Sequence, residues 1–149
     1  MFTGLHLKGA DSKNDSLPDI NGIIAYYPPT DVLHLKDDPT AASKGDENSP
    51  EGLLIGKIAV WNAPEKAKEA SPFYYIKDNK DMPPVFLAHG TKDRVVPFSQ
   101  ADLLANEMEK NGCEYEFYAL RNADHGSWQF WTEAMLDKVE KFIVKHLKK

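Results

Sequence analysis

Three short apolar runs punctuate a mostly polar chain. GIIAYYP, at 22–28, is unbroken and closes on two prolines, which predicts a buried strand over Ile23–Tyr27. PPVFLAHG, at 83–90, predicts a second buried strand over Val85–His89. EYEFYAL, at 114–120, alternates, with Tyr115 and Phe117 on one face and Glu114 and Glu116 on the other, as a half-exposed strand near a sheet edge does. Ile23, Ile24 and Ala25 read as doubly buried and central to a sheet.

Helical periodicity fills the intervals. Ser99, with Asp102 three residues later, predicts a capping box for a helix over Ser99–Asn111 that carries Leu103, Leu104 and Met108 and ends at Asn111–Gly112. Ser127 predicts the cap of a last helix over Gln129–Leu147. Its stripe is Trp131, Met135, Val139, Ile143 and Leu147, widened by Phe142. Short helices are expected from about Ser49 and over Pro64–Ala70, the second stopped by Pro72. Residues 1–20 read as an N-terminal loop, and 31–82 as an irregular excursion from the unit spanning 21–149.

Between His89 and Glu114 lie 24 residues, enough for a right-handed helical crossover between adjacent parallel strands. The first run is expected on the far side of the Val85 strand. The fold class is therefore α/β, with three parallel strands and flanking helices. In such a sheet the loops after all three strands share one edge, where ligands bind.

That edge carries the candidate chemistry. HGTKDRVVP puts Asp93 just after the second strand, and NADHG puts His125 just after the third. A carboxylate on one ring nitrogen fixes the tautomer of an imidazole and leaves the other nitrogen as a general base. The residues alone leave an alternative open, in which Asp93 forms the TKD turn and His125 is a turn residue beside Gly126. Asp124 is adjacent to His125, but neighbouring loop side chains diverge. Asp31 and His34 have a loose metal-ligand spacing, but there is no HExxH and no cysteine pair, so no metal site is expected. His89 is expected beneath the acid loop, and His6, His34 and His146 at the surface.

Composition narrows the classes. The net charge of −5 and the scattered lysines give no reason to expect nucleic acid. No apolar stretch has the length of a membrane span, so no membrane partner is expected. A single cysteine, Cys113, excludes an internal disulfide and leaves the compartment open, the cytoplasm being the default expectation.

ASPFYYI followed by DMPPVFLAHGTKDRVVPFSQADLLANEMEKNGCEYEFYALRNADHG resembles the C-terminal half of an α/β-hydrolase. The resemblance is to the esterase/lipase group that includes acetyl-xylan and feruloyl esterases. YYPPTD and SPEGLLIG…PEKAKEASP extend it to about residues 20–147. It implies an α/β-hydrolase fold, Asp93 as triad acid, His125 as triad base, a small-molecule ester substrate and no cofactor. Prolyl-oligopeptidase-type peptidases share HG…D..VP and the late histidine, so a peptidase is the alternative within the fold. A dienelactone-type hydrolase would need a cysteine in the elbow.

The resemblance also implies a Gly-x-Ser-x-Gly nucleophile elbow. None of the seven serines, Ser12, Ser16, Ser43, Ser49, Ser71, Ser99 and Ser127, has glycine on both sides at that spacing. Cys113 starts a strand at the opposite sheet edge, and Ser127 reads as a cap. The expectation is a triad missing its nucleophile and oxyanion site, inactive alone, with an uncovered sheet edge that a second copy, a complementing chain or the N-terminal twenty residues folding back covers. A non-catalytic interaction module is the alternative from a different class.

Overall fold

The computed structural model describes residues 20–77, 79 and 82–147. The proposed loop at 1–20, and His6 within it, lie outside the described residues except for Ile20, which packs against the core. The strands are β1 (Ile23–Tyr26), β2 (Val85–Gly90) and β3 (Tyr115–Leu120). They form one parallel sheet in the order β1-β2-β3, with Ile23 opposite Val85 and Val85 opposite Tyr115. The helices are α1 (Pro50–Leu54), α2 (Pro64–Glu69), α3 (Phe98–Lys110) and α4 (Glu133–His146).

Every residue of β2 is buried, because helices cover both faces of the central strand. On one face Val85 and Leu87 pack with Ala101, Leu104 and Met108 of α3. On the other, Phe86 and Ala88 meet Phe130, Met135 and Phe142. Each such buried side chain contributes about 1.5–3 kcal/mol relative to exposure. β3 is half-buried along most of its length, as its alternation predicts.

Several local expectations are corrected. Ile24 is 43% exposed, so β1 is not doubly buried: α4 shields only part of that face, and among the described residues β1 pairs with β2 alone. Ser99 is not a cap. Extended Pro97 precedes α3, which begins one residue early at Phe98, and the Ser99 hydroxyl instead donates to Asp38 Oδ2. Ser127 does not cap the last helix. A 3₁₀ turn, Trp128–Trp131, intervenes, and α4 starts after Thr132, whose Oγ1 accepts from Met135 N at 3.3 Å. Ser127 Oγ stays in its own turn, donating to Asp124 O at 2.8 Å.

Only Met135 and Phe142 of the α4 stripe are buried, and Val139 is half-buried. Trp131, Ile143 and Leu147 face outward. His146 is not at the surface but half-buried, its ring 4.6 Å from that of Phe142. The excursion is more ordered than its polar sequence suggests. Val32, Ile55, Val60 and Ala67 give it a small core of its own, and 3₁₀ turns run over Leu35–Asp37, Val60–Asn62 and Pro72–Tyr75. α1 starts where expected, and Ser49 caps it, accepting from Gly52 N at 3.0 Å.

Candidate active site

Parallel pairing brings the ends of the three strands to one edge, and three loops meet there. Gly90 makes the approach possible. A Cβ on it would lie 2.4 Å from the Ala123 carbonyl oxygen, so only glycine lets the β2 loop run against the β3 loop. The contact is tied by Lys92 N donating to Ala123 O at 3.0 Å.

Asp93 is buried at the centre of this junction. Its Oδ1 accepts from the backbone N–H groups of Val95 and Val96, at 2.8 and 2.9 Å. Its Oδ2 lies 2.9 Å from His125 Nδ1. A carboxylate only accepts, so Nδ1 carries the proton and Nε2 of the neutral ring is left as the basic nitrogen. The His125 side chain is 30% exposed, held but open on one side.

Two neighbours fix the ring further. The Tyr27 ring centroid is 4.1 Å from that of His125. Tyr27 has a φ of 41°, a left-handed conformation that side chains other than glycine rarely adopt. It turns the chain sharply at the end of β1, directly over the imidazole. Gly126, with φ of 65°, takes the corresponding turn on the His125 loop.

Asp124 does not hold the ring. Its Oδ1 accepts from Arg94 N at 3.0 Å and from His125 N at 2.9 Å, so it bridges the backbones of the acid and base loops. Arg94 Nε donates to Oδ2 at 2.6 Å, and the guanidinium is the main reason that the carboxyl titrates at about 2. His89 lies beneath, fully buried, with Nε2 2.9 Å from the Val96 carbonyl and 3.4 Å from Asp93 Oδ2. Burial lowers its pKa, against the Val96 carbonyl and Asp93, which favour the charged form.

The structure thus brings Asp93, His125 and His89 together and leaves Asp31 and His34 in a separate cluster. Cys113 is half-buried, packed beside the α3 face of the core, and burial raises its thiol pKa. Among the described residues no group of three or more His, Cys, Asp or Glu side chains is arranged to hold a metal. Sequence reasoning missed the supporting roles of Tyr27, Asp124 and Gly90. The available signals were a tyrosine pair before a diproline, an acid adjacent to the histidine, and a glycine ending a buried strand.

An oriented imidazole with one free nitrogen can move a proton to or from a bound nucleophile. The family pattern BD-FAE matches residues 5–108, a stretch that includes Asp93 and ends before His125. A truncated carbohydrate esterase from gut microbiota superposes with a TM-score of 0.76 at 24% identity, over 85% of this chain and 42% of that one. A bifunctional GH43-CE protein of Bacteroides eggerthii superposes with a TM-score of 0.74 at 23% identity, over 87% of this chain and 17% of that one. These likenesses show the fold. A stretch of 59 residues, 40% of this chain, is 32% identical to 2% of the non-reducing polyketide synthase mapC of Penicillium roqueforti (strain FM164). The chain therefore spans less than half the length of each of these proteins.

Proposed function

The chain belongs to the BD-FAE family, and from that premise we propose that it is the C-terminal part of a serine carboxylic-ester hydrolase. Asp93 and His125 are the acid and base of its triad. The observation that carries this reading is the 2.9 Å contact between Asp93 Oδ2 and His125 Nδ1, made between loops of different strands while Asp93 Oδ1 is held by two backbone N–H groups. His125 Nε2 takes the proton of a serine hydroxyl as the serine attacks the ester carbonyl. It then returns that proton to the departing alcohol. Asp93 holds the ring in the productive tautomer and stabilises the imidazolium.

The nucleophile and the oxyanion donors come from a polypeptide segment that these 149 residues do not include, since no Gly-x-Ser-x-Gly occurs in them. That segment extends the parallel sheet from β1. The half-exposed Ile24 and the outward-facing Ile143 and Leu147 of α4 support this, as a strand and helix stacked there would cover them.

Purified chain is assayed with a short-chain aryl ester and a fluorophosphonate probe, and so is a polypeptide joining it to an elbow-bearing segment. The chain alone should show no turnover above free imidazole and no covalent label. The joined polypeptide should show both. Label on the 149 residues alone would place the nucleophile among their own serines and overturn the division of labour.

A further inference from the structure

His89, near the end of β2, is a fully buried imidazole to which the proton transfers of Asp93 and His125 give no part. Its Nε2 faces two oxygens, the Val96 carbonyl at 2.9 Å and Asp93 Oδ2 at 3.4 Å. A carbonyl and a carboxylate only accept, so Nε2 carries the proton. Nδ1 is buried and meets no hydrogen-bond partner among the described residues. A proton there would be stranded, so the neutral ring keeps one tautomer and one orientation. Phe98 stands perpendicular to it, with centroids 5.9 Å apart, and stacks in turn on Phe117.

Val96 is held at both of its backbone groups. Its N–H donates to Asp93 Oδ1 at 2.9 Å, and its carbonyl accepts from His89. The acid loop leaves β2 at Gly90 and is therefore fastened back to β2 at Val96. The Val96 side chain packs with Leu35 and Ala41, but apolar packing has no direction and does not aim a peptide group. The hydrogen bond from His89 does. The neutrality of His89 matters as much. A cation there would compete with the imidazolium of His125 for the same carboxylate oxygen. Burial is the main influence lowering the His89 pKa, and charge on His125 acts in the same direction.

We propose that His89 is a positioning residue for the Asp93–His125 pair. As a neutral Nε2–H donor it fixes the Val96 peptide group, so that Asp93 presents Oδ2 to His125 Nδ1 and keeps its negative charge for that ring. It touches no reacting atom. Its consequence for catalysis rests on the hydrolase reading, but its hold on the pair needs no nucleophile.

The test compares two amides. The side-chain nitrogen of glutamine can take the place of His89 Nε2, whereas that of asparagine falls short, at the place of Nδ1. Imidazole ¹⁵N spectra of the chain at mildly alkaline pH read the His125 tautomer and the exchange of its Nδ1 proton with water. The tautomer of His34, whose Nδ1 lies 2.8 Å from Asp31 Oδ2, is the internal reference. Wild type and His89→Gln should hold His125 in the Nδ1–H form. His89→Asn should speed the exchange severalfold and let the other tautomer appear, with His34 unchanged. Should that variant fail to fold, His89→Met, which keeps the volume without a donor, carries the comparison. A His125 unchanged without the donor, or released in folded His89→Gln, reduces His89 to a packing residue. In an elbow-bearing polypeptide, His89→Asn should lower kcat by about tenfold with KM nearly unchanged, and His89→Gln should restore it. If His125 responds as expected in the chain but that polypeptide turns over no ester, the hydrolase reading fails and this one stands.

Discussion

The two carboxylate–imidazole pairs are almost equal in length, 2.9 Å for Asp93–His125 and 2.8 Å for Asp31–His34, yet they are built in opposite ways. Asp31 and His34 are three residues apart, and one turn of chain brings them together. Asp93 and His125 are 32 residues apart and meet only because β2 and β3 pair in parallel and end at one edge. Both carboxylates are buried, but the imidazole of the local pair is half in solvent. The long-range pair has a buried carboxylate, two backbone donors, a ring packed on the imidazole and a second histidine beneath it. A short contact alone therefore says little about role. The number of independent elements that converge to hold it says more.

The largest expected difference between the pairs is catalytic. In an elbow-bearing polypeptide that contains this segment, Asp93→Asn should cut kcat by about 10⁴, the figure for the corresponding change in a serine protease, by disfavouring the productive tautomer. Asp31→Asn should leave kcat within about tenfold, because the Asp31–His34 contact is separate from the Asp93–His125 contact. Steady-state kinetics of both variants on one ester check this. A collapse of kcat in Asp31→Asn, or a loss below tenfold in Asp93→Asn, would reverse the two assignments.

The next largest effect is structural. Gly90→Ala places a methyl group 2.4 Å from the Ala123 carbonyl oxygen, so the acid and base loops must part. A cost of about 1–3 kcal/mol is expected, the range for forcing an extra carbon into a packed site. Urea unfolding gives the stability. The imidazole spectrum should show His125 losing its Asp93 partner while His34 keeps its own. Equal disturbance of both histidines would mean that the two clusters are mechanically coupled.

The fold was legible because its signals are local and additive. The unbroken runs at Ile23 and Val85, the alternation after Glu114 and the crossover length each constrain topology independently. The strand-end positions of Asp93 and His125 followed from that topology. What escaped were details that depend on three-dimensional neighbours. Ser99 has the sequence of a cap, but the helix starts at Phe98 after extended Pro97, and Asp38 takes the hydroxyl. Ser127 likewise serves the Asp124 turn, and Thr132 caps α4. The run at Ile23 has the composition of a covered strand, but α4 shields only part of its face and, among the described residues, β1 pairs with β2 alone, which leaves Ile24 exposed. Asp124 stood out only as an acid beside the histidine, and its role as a loop bridge was not legible, because the bridging donors are backbone N–H groups that every sequence possesses.

His89 distinguishes the pairs by pH. It is buried beneath Asp93, and burial holds its pKa below the ordinary 6.5. The unfolded chain therefore binds a proton that the folded chain resists. Its contribution to stability is complete above the unfolded value and is lost as pH falls below about 6.5, with a slope of at most about 1.4 kcal/mol per pH unit. Urea midpoints at pH 7.5, 6.5 and 5.5 should decline over the lower interval. His89→Met, which removes the titrating group, should flatten that decline. An undiminished slope in the variant would assign the acid sensitivity to other histidines.

The smallest expected effect sharpens how the long-range pair is locked. Three donors act on the Asp124 carboxylate, the Arg94 side chain and the backbone N–H groups of Arg94 and His125, and the guanidinium is the largest influence holding its pKa at about 2. The guanidinium itself is largely in solvent, so screening limits what its removal costs the fold. Arg94→Ala deletes that donor and keeps both backbone donors. The Asp124 titration, followed by carbon-detected NMR of its carboxyl, should move upward and stop short of the ordinary 3.8. The loops should stay joined, because Arg94 N still donates to the Asp124 carboxylate and Lys92 N to the Ala123 carbonyl, and the His125 ring nitrogens should keep their wild-type shifts. If His125 instead releases Asp93 in this variant, the exposed arginine, rather than the backbone bridge, is what holds the acid and base loops together.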